Sequence, residues 1–350
     1  MEEWKEYKLG DVCSRLRSGK GIKADSVFNA GKYPVIGGNG VRGYADVPNF
    51  EGQAAIIGRQ GAYCGNVRFF EGEAYMTEHA IVAVGNELAD TRFLACLLSL
   101  MHLGNLSAQS AQPGISVQTL SKQPIRLPSF SYQKKVSAII KSLDDKIEVN
   151  RRINDNLEQQ AMALFDMMFP TIASGEDVIG NVIIPKRGKG LLSKDAVEGN
   201  VPVVAGGLEP ATYHNESNTV APVVTISASG ANAGFVNLWQ IPVWSSDSSF
   251  IDASMTKYVY FWYVMLKKRQ KEIFDAQTGS AQPHIYPKHI AEMPMGNFEQ
   301  SDVEKFTEIV TPMFEIRGRN LKESERLSSI RDSLLPKLMS GELKLNEVNV

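Results

Sequence analysis

The feature that most constrains this sequence is a repeat, because short motifs of its first half return in its second half at a nearly constant spacing. Gly61-Ala-x-x-Gly65-x-Val67 returns 169 residues later as Gly230-Ala-x-x-Gly234-x-Val236. Four further pairs of motifs recur at the same spacing or at a spacing that differs by one residue. They are Gly10-Asp-Val and Gly180-Asn-Val, Pro34-Val-Ile-Gly-Gly38 and Pro202-Val-Val-Ala-Gly-Gly207, Thr77-Glu and Ser246-Asp, and Ser110-Ala-Gln-Pro113 and Ser280-Ala-Gln-Pro283. Self-similarity at one spacing predicts two copies of a single folding unit.

Each copy begins with a globular region, residues 1–130 in the first copy and residues 171–300 in the second. Runs of Val and Ile broken by Gly, Pro, Asn and Ser predict short strands joined by turns. The clearest strands are AAIIG and HAIVAVG in the first copy and PVVTISASG in the second. Helical periodicity follows over residues 90–103 and 254–274. Each region is therefore predicted to be an α/β domain of the mixed α+β kind.

A long helix is predicted after each globular region, over residues 131–170 and within 301–350. In the first, seam residues recur at alternating steps of three and four: Ile140, Leu143, Ile147, Asn150, Asn154, Leu157, Ala161, Leu164 and Met168. The second carries a less regular stripe, interrupted around Arg317-Gly318-Arg319: Phe306, Val310, Met313, Asn320, Ser324, Leu327, Leu334 and Leu338. Such stripes form the seam of paired helices, and polar residues at matched positions favour pairing of these two helices with each other. A helix of about 36 residues is about 54 Å long.

Composition limits the class of protein. The formal net charge is −2, so contact with a polyanion must use local basic patches or the charge of a partner. No apolar run reaches the length of a membrane span, and the opening Met-Glu-Glu-Trp-Lys does not resemble a signal peptide. Cys13, Cys64 and Cys96 are far apart and odd in number, which indicates neither a disulfide framework nor a zinc site. We expect a cytoplasmic protein without a bound metal.

One stretch of the sequence has the glycine spacing of a nucleotide-binding motif. YPVIGGNGVRGY, residues 33–44, contains Gly38-x-Gly40-x-x-Gly43, the spacing of the dinucleotide-binding fingerprint. That fingerprint requires a helix that begins on the glycines and an acid about 20 residues further on. Here Tyr-Ala-Asp-Val-Pro48 follows without helical periodicity, position 63 is tyrosine, and the second copy keeps only Gly206-Gly207. We expect a strand followed by a glycine turn in place of a nucleotide site.

Motifs of catalysis are missing from the sequence. There is no GxxxxGK[ST] phosphate loop, no Asn- or Asp-Pro-Pro-aromatic run of amino-methyltransferases, no GxSxG and no HExxH. Glu78-His79 is matched in the second copy by Asp247-Ser248, so a histidine acting in acid–base catalysis would have no counterpart there. We expect a protein with no active site and no cofactor of its own.

Two duplicated features suggest DNA binding. The first is a basic cluster next to glycines, Arg15 to Lys23, with a counterpart from Lys186 to Lys194, which suits phosphate contacts. The second is the glycine loop, GRQGAYCGN in one copy and SASGANAGF in the other, whose changed side chains suit different base edges. Each feature also fits an ordinary solvated loop or turn. The predicted DNA-binding residues are Arg17, Lys20, Lys23, Asn39, Arg42, Arg59, Gln60, Tyr63, Asn66, Lys186, Arg187, Lys189, Ser229 and Asn232.

The repeated motifs PVIGG/PVVAGG, GRQGAYCGNV/SASGANAGFV and SAQPGI/SAQPHI, with the terminal LLPKLMSGEL, resemble the DNA-specificity (S) subunits of type I restriction–modification enzymes. The resemblance covers nearly the whole chain. It implies two target-recognition domains, 1–130 and 171–300. It also implies two spacer helices, over 131–170 and over 301–350 with a C-terminal tail, that pair as an antiparallel coiled coil. Each domain would read one half of a split double-stranded DNA target, and the coiled coil would fix the gap.

The same resemblance implies partner subunits. Two methyltransferase subunits would dock on the scaffold and supply S-adenosylmethionine and adenine methylation, and motor-nuclease subunits can join them. The chain itself would be non-catalytic and would have no membrane contact. The resemblance does not identify base-contacting residues, because recognition domains vary greatly among S subunits.

Two other functions fit parts of the sequence. A coiled-coil assembly protein whose globular domains bind other proteins would also show a repeat and two paired helices. A dinucleotide-dependent oxidoreductase would use the glycines of GGNGVRG, but the context of that motif argues against it. Exchange of residues 1–130 separates the first alternative from a DNA-specificity subunit, because only in the subunit would half of the DNA target change.

Overall fold

A computed structural model of the protein describes residues 3–107, 114–279 and 282–343. The chain forms two compact units. The first contains the residues up to Ile147 and those from Arg326 onward, and the second runs from Glu148 to Glu325. The repeated motif Ser110-Ala-Gln-Pro113 lies outside the described residues, as do Ser280 and Ala281 of its second copy.

The order of elements is the same in both copies: strands, a helical patch, one short strand and then one long helix. The α-helices are α1 (Thr91–Leu100), α2 (Val117–Ser121), α3 (Phe130–Met168), α4 (Val259–Lys268), α5 (Gln270–Asp275), α6 (Pro287–Ala291) and α7 (Gln300–Ser340). Short 3-10 helices cover Leu9–Val12, Ala24–Ser26, Gly61–Tyr63, Leu103–Leu106, Ile179–Asn181 and Ser193–Asp195.

The first unit is built on a six-stranded sheet beside a two-stranded one. Its strands are β1 (Lys5–Lys8), β2 (Cys13–Ser18), β3 (Tyr33–Gly37), β4 (Gly40–Ala45), β5 (Phe50–Gly58), β6 (Val67–Met76), β7 (Ala80–Gly85) and β8 (Pro124–Leu127). The large sheet has the order β2-β7-β5-β6-β3-β4, and β1 pairs with β8. Only β3 and β6 run parallel among these neighbours.

Strand β5 is apolar at successive positions because both of its faces are covered. Ala55 and Ile57 are buried in the core that also holds α1. Ala54 and Ile56 pack on the opposite face, in a smaller core with Met76. Successive strand residues point to opposite faces, so a continuous apolar run is expected of a strand covered on both sides. The strands predicted at AAIIG and HAIVAVG are confirmed.

The second unit has smaller sheets. Its strands are β9 (Asp177–Val178), β10 (Lys186–Arg187), β11 (Val201–Val204), β12 (Thr212–His214), β13 (Val223–Ser227), β14 (Val236–Trp239), β15 (Trp244–Ser245), β16 (Ser248–Asp252) and β17 (Pro294–Met295). The sheet orders are β10-β16-β13-β14, β12-β11-β15 and β17-β9. Helix α4 lies at the centre of the main core, where every residue from Val259 to Leu266 is buried.

The helix predicted over residues 254–274 is shorter and divided. Helix α4 begins only at Val259 because Asp252 fixes a turn before it, accepting hydrogen bonds from Ser254 N at 3.1 Å and Ser254 Oγ at 2.6 Å. The helix is interrupted at Arg269, which is 7% exposed. Arg269 Nη1 donates to Pro294 O at 2.7 Å, so this buried side chain is held at the junction of α4 and α5.

Helices α3 and α7 run antiparallel in the second unit. Asn320 Nδ2 donates to Asn154 Oδ1 at 2.9 Å, and Asn150 Nδ2 donates to Glu323 Oε2 at 2.7 Å. Asn150 is fully buried, and its Oδ1 has no hydrogen-bond partner among the described residues. A buried polar seam of this kind costs stability but penalises other registers and partners.

The same antiparallel pairing occurs in the first unit. Arg331 Nη1 of α7 lies 3.0 Å from Asp144 Oδ1 of α3, and Tyr132 Oη donates to Leu338 O at 3.3 Å. Arg92 of α1 reaches the same carboxylate at 3.3 Å and stacks over the Phe69 ring at 3.8 Å. This ion cluster links the paired helices to the globular region of the unit. The predicted antiparallel pairing of the two long helices is therefore confirmed within each unit.

The interruption expected around Arg317 is not present. Helix α7 is continuous from Gln300 to Ser340, and Arg317 occupies a seam position in the same alternation of three and four residues. Arg317 Nε lies 3.6 Å from Glu158 Oε2 of α3. Gly318 packs against the Gln240 side chain, where a Cβ would be only 2.7 Å from Cγ. A charge pair therefore stands in this part of the seam, and the neighbouring glycine packs against the globular region of the unit.

The residues predicted at the helix interface are all buried or half-buried. Buried are Ile140, Leu143, Asn150, Asn154 and Val310, and half-buried are Ile147, Leu157, Leu164, Met313, Asn320, Leu327 and Leu334. One close contact was missed, because it lies one residue off the predicted stripe. The Phe165 ring is 3% exposed and lies 5.4 Å from the Phe306 ring of α7 and 5.5 Å from the Phe261 ring of α4.

The half-buried cysteines Cys13 and Cys96 lead to a prediction about chemical reactivity. Burial raises the pKa of Cys13 and of Cys96 to about 12. Such thiols are almost entirely protonated at pH 8, so we expect iodoacetamide to modify them at least about 100-fold more slowly in the native protein than in guanidinium. Peptide mass spectrometry measures the extent, and similar rates in both solvents would contradict the prediction. The pKa of each thiol is higher in the folded protein than in the unfolded chain. The stability that comes from keeping these thiols protonated is therefore present below pH 9 and is lost as the pH rises towards 12.

Candidate nucleic-acid interface

The two glycine loops share one backbone frame. In the first unit Gly65 N donates to Gly58 O at 2.8 Å, and in the second Gly234 N donates to Ser227 O at 2.7 Å. Three further backbone bonds match in the same way: Gly58 N to Asn66 O with Ser227 N to Phe235 O, Cys64 N to Gly61 O with Ala233 N to Gly230 O, and Asn66 N to Tyr63 O with Phe235 N to Asn232 O. The same loop conformation is therefore present twice.

Glycine is needed at matched positions of this frame. The φ angle is +77° at Gly61 and +81° at Gly65, and it is +81° at Gly230 and +89° at Gly234. L side chains rarely adopt such angles. Around these glycines the loops carry different side chains, namely Arg59, Gln60, Tyr63 and Asn66 in the first unit and Ala228, Ser229, Asn232 and Phe235 in the second. The same backbone conformation therefore presents a different set of side chains in each unit.

A second segment lies beside each loop. Ile115 N donates to Arg59 O at 2.9 Å, and Ile285 N donates to Ala228 O at 2.9 Å. The residue before each isoleucine forms an isolated bridge to the loop, Gly114 with Gln60 and His284 with Ser229. These residues directly follow the SAQP repeat, so that repeat marks the segment flanking the loop. His284 was not among the predicted site residues.

The glycines of GGNGVRG form a β-hairpin. Strands β3 and β4 pair antiparallel with Gly37 opposite Gly40, as expected of a strand and a glycine turn. The turn residue Asn39 is exposed and is held by Arg68, whose Nη1 donates to Asn39 O at 2.7 Å and whose Nη2 donates to Asn39 Oδ1 at 3.1 Å. Because the chain continues as strand β4, no helix begins on these glycines, and this described segment lacks the helix start that the fingerprint requires.

In the first unit the basic cluster, the hairpin turn and the glycine loop meet at one end of the large sheet. Arg59 N donates to His79 O at 2.9 Å, and Lys20 N donates to Met76 O at 2.9 Å. A Cβ on Gly38 would be 3.1 Å from His79 O. The connection between β6 and β7 is therefore bordered by all three segments, which are far apart in the sequence.

The second unit brings the equivalent segments together around one acid. Arg187 Nη2 donates to Asp247 Oδ1 at 2.6 Å, and Ser229 Oγ donates to Asp247 Oδ2. Ala228 N donates to Asp247 O at 3.1 Å. A Cβ on Gly206 would be 2.6 Å from Ser229 O, so the Gly206-Gly207 turn lies against the same loop.

Most of the predicted DNA-binding residues lie on the surface. Exposed are Arg17, Lys20, Lys23, Asn39, Arg42, Gln60, Tyr63, Asn66, Lys186, Arg187 and Lys189. Half-buried are Arg59, Ser229 and Asn232. Arg15, which belongs to the same basic cluster, is instead packed over the Phe50 ring at 5.1 Å, and burial lowers the pKa of its guanidinium.

An acidic residue stands beside each glycine loop and was not predicted as part of the site. Glu78 and Asp247 occupy the same position of the repeat. Glu78 Oε1 lies 3.3 Å from His79 Nε2, and Glu78 O accepts a hydrogen bond from Arg59 Nη1 at 3.4 Å. The signal is present in the sequence, since Thr77-Glu and Ser246-Asp belong to the repeat. A carboxylate is not the residue expected beside phosphate-binding groups.

In each unit the basic segment, the glycine turn and the glycine loop expose hydrogen-bond donors and acceptors together with basic side chains. This combination suits phosphates and base edges. Within residues 3–107, 114–279 and 282–343, no group of three or more His, Cys, Asp or Glu is arranged to hold a metal ion. In the same part of the chain, no helix has both the length and the apolar character that a membrane span requires.

The sequence is similar to known proteins in the region of the first unit and beyond it. Residues 1–159 match the family described as type I restriction modification DNA specificity domain. The type I restriction enzyme EcoprrI specificity subunit of Escherichia coli is 35% identical over 146 residues, which cover 41% of this chain and 36% of that relative. The match thus spans little more than a third of the relative. The MjaIX specificity subunit of Methanocaldococcus jannaschii is 25% identical over 288 residues, 71% of this chain and 67% of the relative.

The similarity in fold to a solved structure covers nearly the whole chain. The crystal structure of a type I restriction–modification system S subunit from M. genitalium matches with a TM-score of 0.62. The match covers 96% of each chain at 21% sequence identity. At that identity the likeness concerns the fold: two globular α/β regions and two long helices.

Proposed function

We propose that the chain is a type I restriction–modification DNA-specificity subunit that reads a split double-stranded DNA target, because residues 1–159 match the DNA specificity domain family and the similar proteins are specificity subunits. Residues 1–130 read one half and residues 171–300 read the other. The observation that supports this is the pair of glycine loops. Four backbone hydrogen bonds of the first loop recur at matched positions of the second, whereas the side chains differ. A common frame with changed side chains suits two readers of different sequences.

The side chains of each loop suit particular base edges. In the first unit Arg59 and Gln60 have the groups that pair with guanine and adenine, respectively. In the second, Asn232 suits adenine and Ser229 suits several bases. The exposed lysines of the basic segments, Lys20, Lys186 and Lys189 among them, contact phosphates and set the orientation on the duplex.

The paired helices fix the gap between the two halves of the target in this proposal. A rigid spacer in a protein requires a fixed spacing of half-sites in the duplex. The buried Asn150 and Asn154 maintain the register of the pairing, and a helix register that cannot slip gives one gap length.

Catalysis belongs to partner subunits in the same proposal. Two methyltransferase subunits dock on the helices, bind S-adenosylmethionine and methylate adenine, and motor-nuclease subunits can join this assembly. The formal net charge of −2 supports this division, because the chain has little excess positive charge with which to hold DNA alone.

The experiment is to map methylated adenines in cells that express the chain with its methyltransferase. We expect a two-part motif with a fixed gap, methylated only when both proteins are present. Exchange of residues 1–130 for those of another S subunit should change one half of the motif, and exchange of 171–300 should change the other. An unchanged motif after both exchanges would favour an assembly protein, and failure to form a methyltransferase complex would refute the proposal.

A further inference from the structure

We propose that Asp247 is a positioning residue that holds Arg187 for recognition of a guanine in the half-target read by the second unit. The inference rests on the proposed function, because it names a base contact of the same surface. Arg187 ends strand β10, and Asp247 directly precedes strand β16, its neighbour in the sheet. The two side chains are 60 residues apart in sequence and meet at the end of that sheet.

The Asp247 carboxylate uses both of its oxygens. Oδ1 accepts from Arg187 Nη2 at 2.6 Å, and Oδ2 accepts from the Ser229 hydroxyl. The carbonyl of Asp247 also accepts from Ala228 N at 3.1 Å, which ties this residue to the glycine loop. Charge-assisted hydrogen bonds are short and directional, so a carboxylate fixed in this way also fixes one edge of the guanidinium.

The other donors of Arg187 remain available to a ligand. Nη2 makes the only side-chain hydrogen bond of Arg187 with the described part of the chain, and 41% of the side chain is exposed. A guanidinium carries five N–H donors in a rigid fork. Two parallel donors match O6 and N7 of guanine, the commonest specific contact in the major groove. A side chain that is already ordered loses less conformational entropy when it binds.

The carboxylate argues for a base contact and against a phosphate contact. Asp247 is 38% exposed, so its negative charge lies at the surface that a phosphate would approach. Lys186 and Lys189 stand on either side of Arg187, are exposed, and form no ion pair with the described residues. Those lysines suit phosphates, whereas an arginine neutralised by an acid suits a neutral acceptor edge such as that of guanine.

The first unit lacks this arrangement although it has the acid. Glu78 stands at the repeat position of Asp247, but the position equivalent to Arg187 is Ser18. The nearby Arg59 donates to the carbonyl of Glu78, at 3.4 Å, and not to its carboxylate. The guanine contact inferred here therefore belongs to the second half of the target alone.

The test uses the complete methyltransferase complex and a set of targets in which each base pair of both halves is varied in turn. For Arg187→Ala we expect the preference for guanine at one position of the second half to fall about tenfold or more, with the other positions unchanged. For Asp247→Asn we expect a fall of about fivefold at that same position, together with tighter, more salt-dependent binding of unrelated DNA, because the freed guanidinium reaches phosphates. Glu216→Gln removes an exposed carboxylate of the same unit and should change neither property.

Two results would overturn the inference. If Arg187→Ala weakens every sequence equally and lowers the slope of the salt dependence by about one, Arg187 contacts a phosphate. If Asp247→Asn leaves all base preferences intact while Arg187→Ala changes one, the acid does not position the arginine. Thermal unfolding establishes that each variant is folded.

A third variant keeps the test decisive where Asp247→Asn does not fold. Arg187→Lys retains the charge but cannot form the two parallel hydrogen bonds, so it should lose the guanine preference at the same position. Full preference in this variant would also contradict the inference. The wild-type complex reports separately on the proposed function, because a complex without any two-part target would refute that proposal before the variants are compared.

Discussion

Replacement of Gly65 by alanine is expected to destabilise the first unit by about 3 kcal/mol and to abolish reading of its half-target. The φ angle at Gly65 is +81°. A Cβ there would collide with the backbone nitrogen of Gly104 and would lie 2.5 Å from the carbonyl carbon of Leu103. Backbone atoms cannot rotate away as a side chain can, so either the glycine loop or the 3-10 helix Leu103–Leu106 must move.

Gly61→Ala is the matched control for this prediction. Gly61 stands in the same loop at φ +77°, but nothing lies within 4 Å of the position that an alanine methyl group would occupy there. The change costs only the left-handed conformation, about 1 kcal/mol. Urea unfolding measures the stability of both variants, and methylation mapping of the assembled enzyme measures target reading. Equal losses for the two variants would show that the close approach to Gly104 is not the reason for glycine at position 65.

Phe165→Ala should have a similarly large effect on the second unit, about 4 kcal/mol in its free energy of unfolding. The ring lies 5.0 Å from Phe169 and 5.4 Å from Phe306. It also packs 5.5 Å from Phe261, so one side chain joins α3, α7 and α4. Removing it leaves a cavity at the junction of the paired helices and the globular region, which cannot close without displacing one of them.

The control for Phe165→Ala stands two residues away on the same helix. Met167 is 73% exposed, so Met167→Ala should change stability by less than about 0.5 kcal/mol. Hydrogen exchange of the α4 amides isolates the second unit, which is necessary because a chain of two units need not unfold in a single step. If both variants accelerate this exchange equally, the aromatic contacts do not hold α4 on the helices.

The repeat made much of the fold predictable, because residues at matched positions of the two copies can be compared within one sequence. Gly61 and Gly65 return as Gly230 and Gly234, and this recurrence alone distinguishes a structural requirement from a chance glycine. The seam asparagines were predicted in the same way, since Asn150 has Asn320 as its counterpart. Matched residues in two copies act as two independent observations of one requirement.

What could not be predicted depends on contacts between residues distant in sequence. Arg317 looked like a break in the seam, because its partner Glu158 becomes visible only when the two helices are aligned antiparallel. Arg187 and Asp247 likewise meet through a strand pairing that the local sequence does not specify. Phe165 lies off the heptad stripe because it packs on α4 as well as on α7. In each case tertiary neighbours, and not periodicity, determine the role of the residue.

The first unit is assembled from segments that a ribosome makes at very different times. Leu338 and Met339 of α7 are buried in the same core as Val136 and Ile140 of α3. Until residues 326–343 have been translated, that face of α3 is uncovered and available to any other apolar helix nearby. All residues of the second unit, Glu148 to Glu325, have been synthesised before then. The unit whose synthesis begins first is therefore the one completed last.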